Sequence, residues 1–87
     1  MGRRDNKMKV IVNIQLKEGV LDPQGKAVHH ALLALQFNEV QNVRIGKQII
    51  LHVEDDEKER VLKRVENMCE DLLANTVIET YEIEIEK

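Results

Sequence analysis

The sequence lacks several residue types on which common chemistries depend. It has no serine and no tryptophan, and only one residue each of cysteine, phenylalanine, tyrosine and proline. Without serine, hydrolysis through a Ser–His–Asp triad is excluded. A single cysteine cannot form an intrachain disulfide, so the fold does not depend on an oxidising compartment. With so few aromatic residues, the chain offers almost no surface on which nucleobases could stack.

Long apolar runs and an excess of positive charge are also missing. No run approaches the roughly 20 apolar residues that cross a membrane, and the N-terminus lacks the apolar core of a signal peptide, so we expect a cytoplasmic protein. The 87 residues carry 16 acidic and 13 basic side chains, a net charge of −3, which argues against general nucleic-acid binding. We predict a flexible N-terminal extension over residues 1–7 and a single domain over residues 8–87.

Hydrophobic periodicity predicts a small α+β domain. Strands are indicated by alternating apolar residues, and helices by apolar residues at spacings of three and four. An aspartate followed by proline marks the start of the first helix, and a Gly-Lys pair favours a hairpin between the middle strands. The predicted elements, in order, are a strand at 9–16, a helix at 22–36, strands at 40–45 and 48–53, a helix at 57–74 and a strand at 78–86. This β-α-β-β-α-β order predicts a ferredoxin-like fold, with a four-stranded antiparallel sheet and two helices on one face.

The second face of that sheet has no helix to cover it. The pattern places on it the partly apolar set Ile11, Asn13, Gln15, Arg44, Ile50 and His52. Such a face usually meets another sheet or subunit. We therefore predict a homo-oligomer, with Ile11, Asn13, Gln15, Ile50 and His52 as candidates for the dimer face.

No cluster of residues indicates a catalytic or metal site in this chain. His29 and His30 point about 100° apart on a helix, so they are poorly placed to chelate one ion. Cys69 lies on the apolar side of its predicted helix and is interpreted as a small buried hydrophobe. The acidic run 54–57 lacks the spacing of a calcium-binding loop and is typical of a solvated helix start. The scattered glycines form no phosphate-binding loop.

Two short segments are more specific than the fold requires. The run from Gly19 to Gly25 places a glycine inside the first turns of a helix, which costs about 1 kcal/mol relative to alanine and is accepted where a backbone must approach a neighbour closely. A second group of hydrogen-bond donors, Arg44 beside Gly46 and Lys47, lies on the predicted hairpin. Turn chemistry explains part of both segments, and contact with a partner or an anion is the alternative. The interface candidates are Asp22, Pro23, Gln24, Gly25, Arg44, Gly46 and Lys47.

At these residues the sequence resembles the PurS family, the small subunits of the multisubunit phosphoribosylformylglycinamidine (FGAM) synthase of purine biosynthesis. The resemblance runs from Met8 to about Glu86. It rests on KEGVLDPQGKA at residues 17–27, on VRIGK at residues 43–47 and on the final acidic strand with Tyr81.

The resemblance implies a subunit that is not catalytic alone. Members of this family dimerise, often into larger assemblies, and join a synthetase subunit (PurL) to a glutaminase subunit (PurQ). They are expected to support assembly and the passage of ammonia between these partners. ATP and Mg²⁺ would be used by the complex, with no cofactor in this chain, no nucleic acid and no membrane as partner.

Other functions remain open on the residues alone. A regulatory domain of the ACT type shares the predicted element order and holds a small molecule near a glycine after the first strand, which Gly19 fits loosely. An acylphosphatase would need an arginine in the loop after the first strand, and residues 17–25 contain none. An RNA-recognition module would need paired aromatics on its central strands.

Overall fold

A computed structural model describes residues 7–86 as a three-stranded antiparallel sheet with two helices. The elements are β1 (Lys7–Leu16), α1 (Pro23–Ala34), β2 (Lys47–Glu54), α2 (Lys58–Met68) with a terminal π-helical turn (Cys69–Leu73), and β3 (Glu79–Glu86). The order in the sheet is β2-β1-β3, so the first strand lies in the centre. The predicted α+β class is confirmed. Within the described residues, no helix is long and apolar enough to cross a membrane.

The central strand provides most of the core. Met8, Val10, Val12 and Ile14 alternate along β1 and are fully buried on one face. The neighbouring strands place their own apolar rows beside them, because Val10 pairs with Leu51 of β2 and with Ile85 of β3. The alternation predicted for these strands is therefore confirmed.

One helix covers this apolar face. Val61 and Val65 of α2 and Cys69 of the following turn are fully buried against it, so the predicted burial of Cys69 is confirmed. The acidic segment before α2 has the solvated role predicted for it. Asp55 accepts hydrogen bonds from the Glu57 backbone N–H and from the Arg60 guanidinium. These donors hold the pKa of Asp55 well below its usual range.

The predicted fourth strand is wrong. Residues 40–45, where this strand was predicted, form no strand, and the sheet in the described part of the chain has three strands. The reason lies in competing hydrogen bonds, because the Ile45 N–H donates to the Asp22 carboxylate and not to a neighbouring strand. The predicted hairpin at Gly46-Lys47 is therefore absent, and Lys47 begins β2. Arg44, predicted on the open sheet face, lies instead beside the loop that follows β1.

The prediction of two helices on one face is also wrong for the single chain. α1 has no extensive packing against the sheet or α2, and Gly25 is its one buried residue. We use the name arm for residues 23–45, which comprise α1 and the segment that returns beside it. His29 Nε2 lies 2.8 Å from the Val40 carbonyl oxygen and links the two halves of the arm.

The predicted N-terminal extension lies largely outside the described residues. Lys7, its last residue, belongs to β1 and pairs in register with Glu54 of β2. The ordered strand therefore begins one residue before the predicted domain boundary.

Candidate functional site

The interface candidates of the two specific segments meet at the base of the arm. Asp22 is 5% exposed and caps α1, as predicted, by accepting a 2.8 Å hydrogen bond from the Gly25 N–H through Oδ1. Its second oxygen, Oδ2, accepts a 2.7 Å hydrogen bond from the Ile45 N–H. One carboxylate therefore joins the start of the arm to its end.

Electrostatics favour the charged form of this carboxylate. The pKa of Asp22 lies below its ordinary value of 3.8 because the backbone N–H groups of Ile45 and Gly25 donate to it. The Arg44 guanidinium adds a weaker favourable charge, and desolvation opposes the shift only partly. At neutral pH Asp22 is ionised and holds both donors.

Gly25 shows why a glycine stands inside the first turn of α1. A methyl group in its place would overlap the Val43 carbonyl oxygen and would touch the Asp22 carboxyl group at 3.0 Å. The two halves of the arm can therefore approach closely only if residue 25 has no side chain. The sequence indicated a close approach, and the structure shows that the neighbour is a segment of the same chain.

Arg44 ties the arm to the loop after β1. Its guanidinium donates hydrogen bonds of 2.9 Å to the Val20 carbonyl and 3.1 Å to the Lys17 carbonyl. Gly19, between these two acceptors, has a φ of +87°, in the left-handed region that favours glycine. We call Asp22, Gly25, Arg44 and Ile45 the clamp, because together they join the two ends of the arm and tie them to the loop that follows the central strand.

Two shallow depressions flank the clamp. One, of about 610 Å³, is lined by Glu18, Gly19, Arg44 and Gly46 among others. The second, of about 300 Å³, is lined by Asp22, Pro23, Gln24, Gly46 and Lys47 among others. The structure therefore brings all seven interface candidates together at the base of the arm. Gly46 passes close to β1, where an added methyl group would lie 2.8 Å from the Ile14 carbonyl oxygen.

The dimer-face candidates lie together on the open face of the sheet, as their alternation predicts. Ile11 pairs with Ile50, and Lys9 pairs with His52. The third strand contributes Glu82, Glu84 and Glu86 to the same face. Gln48 Nε2 donates a 2.9 Å hydrogen bond to Asn13 Oδ1 across it. The face is consequently more polar than the list Ile11, Asn13, Gln15, Ile50 and His52 suggested.

Residues 7–86 contain no group of three metal-ligating side chains. Outside the clamp, the pKa of Tyr81 is also strongly shifted. Its hydroxyl donates a 2.8 Å hydrogen bond to Glu70 Oε2, which with burial raises the pKa of Tyr81 to about 12. A phenol held in its protonated form is a poor general base at neutral pH.

Sequence reasoning missed Ile45 and Val43 as members of the site. Both act through backbone atoms, and a backbone donor or acceptor leaves no signal in residue type. His29 was considered only as a metal ligand, whereas its contact with the Val40 carbonyl is structural.

Comparison with known proteins gives a consistent result. The sequence model of the PurS family, described as phosphoribosylformylglycinamidine (FGAM) synthase, matches residues 9–87. The chain is 54% identical over 79 residues to the FGAM synthase subunit PurS of Bacillus subtilis, covering 91% of this chain and 93% of that protein. The crystal structure of PurS from Methanocaldococcus jannaschii, one of the subunits of formylglycinamide ribonucleotide amidotransferase, superposes with a TM-score of 0.83 at 45% identity, covering 92% and 96% of the two chains.

A similar chain occurs in a solved complex. A chain in the structure of PurLQS from Thermotoga maritima superposes with a TM-score of 0.83 at 34% identity and covers 91% of this chain and 96% of its own length. The family match spans nearly all the described residues, including the clamp and all three strands. This chain belongs to the PurS family of FGAM synthase subunits.

Proposed function

We propose that this protein is the small, non-catalytic subunit of a multisubunit FGAM synthase and that it supports assembly of the synthetase and glutaminase subunits. The observation that carries this proposal is the arm, a clamped projection with exposed apolar side chains and no chemistry of its own. A projection of this kind suits contact between proteins. The similarity to a chain of PurLQS supports the same conclusion.

Assembly of the complex is linked to ammonia transfer because free ammonia is easily lost to water. The glutaminase releases ammonia, which water would protonate and dilute before the synthetase could use it. A subunit that seals the contact between the two enzymes preserves the nitrogen for the amidine-forming step. ATP and Mg²⁺ belong to the synthetase in this proposal, and the small subunit contributes position only. The proposed site of action is the cytoplasm.

Homo-oligomerisation is part of the proposal. The open sheet face carries the apolar pair Ile11 and Ile50 in a polar surround. The arm exposes a second apolar surface. The full ferredoxin-like layer of two helices on one face is proposed for the assembled protein only.

The proposal is tested by reconstituted turnover. Matching synthetase and glutaminase subunits are assayed with and without this protein, using glutamine and then ammonium as the nitrogen source. We expect the protein to restore the glutamine reaction while changing the ammonium reaction much less. A glutamine reaction that does not respond to the protein would contradict the proposal.

A ligand-binding regulatory domain of the ACT type is the second candidate function, although the three-stranded sheet of the described residues lacks the fourth strand of the element order on which that candidate was based. The depression of about 610 Å³ beside Gly19 and Arg44 is the observation in its favour, because that position follows the first strand. Titration calorimetry of the isolated protein with free amino acids tests it. Saturable heat at millimolar or lower concentration would favour this candidate, and its absence would remove it.

A further inference from the structure

β3 lies at an edge of the sheet, and one side of it has no neighbouring strand among residues 7–86. Of the helices and strands described, β1 and α2 make the extensive contacts with β3. The register of β3 with β1 is continuous from Glu79 to Glu86, without a bulge or a proline. Natural proteins commonly protect an edge strand by making it short, by a bulge or by a proline. β3 has eight residues and none of these features.

The hydrogen bonds around β3 show which of its backbone groups point outward. The register places Lys17 opposite Ile78, and the Lys17 N–H donates to the Ile78 carbonyl oxygen at 2.8 Å. Bonded and non-bonded pairs alternate along an antiparallel ladder, so the even-numbered residues of β3 bond to β1. The odd-numbered residues direct their N–H and C=O groups away from the sheet, and the first of them, Glu79, donates to the Asn75 carbonyl oxygen. Within residues 7–86, three outward-facing residues of β3 have no strand beside them: Tyr81, Ile83 and Ile85.

The core-facing side of β3 carries an apolar row that is incompletely covered. Tyr81, Ile83 and Ile85 pack against the core and are each half-buried. These are the same three residues whose backbone groups point outward. A strand that paired with them would place alternate side chains of its own beside this row. Apolar side chains at those positions would extend the core.

The side of β3 on the open face carries charge of one sign. Glu82, Glu84 and Glu86 are exposed, and alternate residues of a strand lie about 7 Å apart. Glu86 Oε1 lies 4.0 Å from Lys9 Nζ, whereas Glu82 and Glu84 make no ion pair with any residue between 7 and 86. Opposite charges on neighbouring strands stabilise a sheet. An added strand is therefore favoured when the side chains that it places on the open face are basic.

The same row disfavours a second copy of β3 as the added strand. In an antiparallel pair of two such strands with both apolar rows on one face, glutamates of one copy lie opposite glutamates of the other. Like charges directly opposite each other destabilise a sheet. A shift of the register by one residue would move the apolar row of one copy to the open face. The edge is therefore suited to a chain of different sequence.

We propose that β3 binds an extended segment of another synthase subunit, which adds to the sheet as an edge strand and carries alternating apolar and basic residues. Tyr81, Ile83 and Ile85 supply the backbone donors and acceptors. Glu82 and Glu84 select the basic side chains. In this kind of recognition the main chain gives affinity and the alternate side chains give specificity. The inference rests on the proposed function, because it assigns a contact with a partner subunit to one edge of the sheet.

Hydrogen exchange of single amides tests the added strand. A hydrogen-bonded amide exchanges only when its bond opens. In the isolated protein, the outward N–H groups of Tyr81 and Ile83 should exchange about tenfold faster than those of Glu82 and Glu84, which donate to β1. The synthetase and glutaminase subunits are then added separately and together. Binding should slow the outward amides to the rate of their neighbours, and the neighbours serve as the control within the same strand.

Glu82→Lys combined with Glu84→Lys tests the preference for a basic segment. We expect the dissociation constant for the subunit that protects the edge to rise about tenfold, because attraction to basic side chains becomes repulsion. The matched control is Glu59→Lys combined with Glu66→Lys, which changes the net charge equally at exposed positions of α2 and should leave the constant nearly unchanged. If the charge reversal lowers the melting temperature sharply, Glu82→Gln combined with Glu84→Gln replaces it, with about a threefold rise expected.

Three results would overturn the added strand. Outward amides that still exchange fast after a subunit has bound would place the contact elsewhere. Outward amides that are slow in the isolated protein and become fast on dilution would assign the edge to a second copy. Outward amides that are slow until residues 1–6 are deleted would assign the edge to that segment, which contains Arg3 and Arg4.

Reconstituted turnover separates this proposal from the proposed function. A parent protein that restores the glutamine reaction while its outward amides remain fast would reject the added strand and leave the function standing. A parent protein that binds neither subunit and does not change the glutamine reaction would reject both.

Discussion

At the scale of single residues, Asp22 joins two segments of the described chain that are far apart in sequence. A helix cap normally accepts hydrogen bonds from its own first turn. Asp22 does this through Oδ1 and also binds Ile45, 23 residues along the chain, through Oδ2. Local sequence predicted the first contact, and only the tertiary structure supplies the second.

Asp22→Asn tests this double role. The variant amide can accept from Gly25, but its NH₂ group would face the Ile45 N–H, so we expect the melting temperature to fall by about 5–10 °C at pH 7. The lowered pKa of Asp22 means that its contribution is present above about pH 4 and is lost as the pH falls through the folded-state value. The difference between the two proteins should therefore shrink in acid.

Thermal unfolding followed by circular dichroism measures this effect. Glu18→Gln is the control, because it removes the same charge from an exposed position in the neighbouring loop. Equal melting temperatures for the parent protein and Asp22→Asn would mean that the Ile45 contact contributes nothing to stability.

A second prediction concerns the pKa of Tyr81, which can be measured directly because the chain has one tyrosine and no tryptophan. Its pKa of about 12 should appear as a late rise of phenolate absorbance near 295 nm, and Glu70→Gln should move the midpoint toward 10. Because the folded pKa is raised, the associated stability is full below pH 10 and is lost as the pH rises toward 12. A parent midpoint at 10, with helical content intact, would contradict the Tyr81–Glu70 bond.

At the scale of elements, α1 begins where local sequence predicts, but it does not pack against the sheet of its own chain. The Asp-Pro start predicted its first residue, and the structure begins α1 at Pro23. Its apolar stripe predicted burial against the sheet, whereas the described chain leaves that stripe largely exposed. Periodicity reports that a helix has an apolar side, and it does not report which sheet, or which copy, will cover it.

Gly25→Ala tests whether helix propensity or the close contact inside the arm decides the stability of this variant. Alanine favours a helix by about 1 kcal/mol over glycine, so a free helix would gain stability. In this arm the added methyl group would overlap the Val43 carbonyl, and we expect a lower melting temperature by several degrees. Gln24→Ala, at an exposed position in the same turn, serves as control and should change little. A stabilised Gly25→Ala protein would show that the two halves of the arm do not touch.

Charge reversal at Arg44 and at Lys47 distinguishes a basic residue that stabilises the fold from one that is only exposed. Arg44→Glu removes two hydrogen bonds to the loop after β1 and places an anion beside the same carbonyls and Asp22. We therefore expect it to lower the melting temperature by several degrees. Lys47→Glu alters an exposed residue at the start of β2 and should have little effect on melting. Similar melting temperatures for both variants would make Arg44 an interface residue with no role in the fold.

At the scale of the whole molecule, the chain has less core than its length could supply. Among residues 7–86, eight hydrophobic residues are buried, and α1 adds none of them. A domain of this size needs most of its apolar surface covered to be stable. In the proposed homo-oligomer, a second copy of the chain would supply that cover.

Concentration-dependent melting is the whole-molecule prediction. If a second copy covers α1, the melting temperature should rise with protein concentration, because association stabilises the folded state by mass action. Leu35→Glu places a charge in the proposed contact and should remove most of this dependence. Differential scanning calorimetry over a hundredfold range of concentration measures it. A melting temperature that is constant over that range would contradict the cover of α1 by a second copy.

Sequence by itself determined the local features of this protein. Alternation fixed which side chains of β1 and β3 point to the core, since a strand places successive residues on opposite faces. Aspartate and proline fixed the start of α1, and Cys69 was assigned correctly to the core. The family signature could be recognised in residues 17–27 and 43–47, although the contacts of these residues could not be predicted.

Only the tertiary structure decided how these pieces are arranged. The Ile45 N–H had two possible acceptors, a neighbouring strand or a carboxylate, and the choice of Asp22 removed the predicted fourth strand. That choice joins residues far apart in sequence through backbone atoms, which every residue type other than proline carries in the same form. The same bonds hold the arm away from its own sheet, so the clamp determines both the shape of the chain and the surface it presents to a partner.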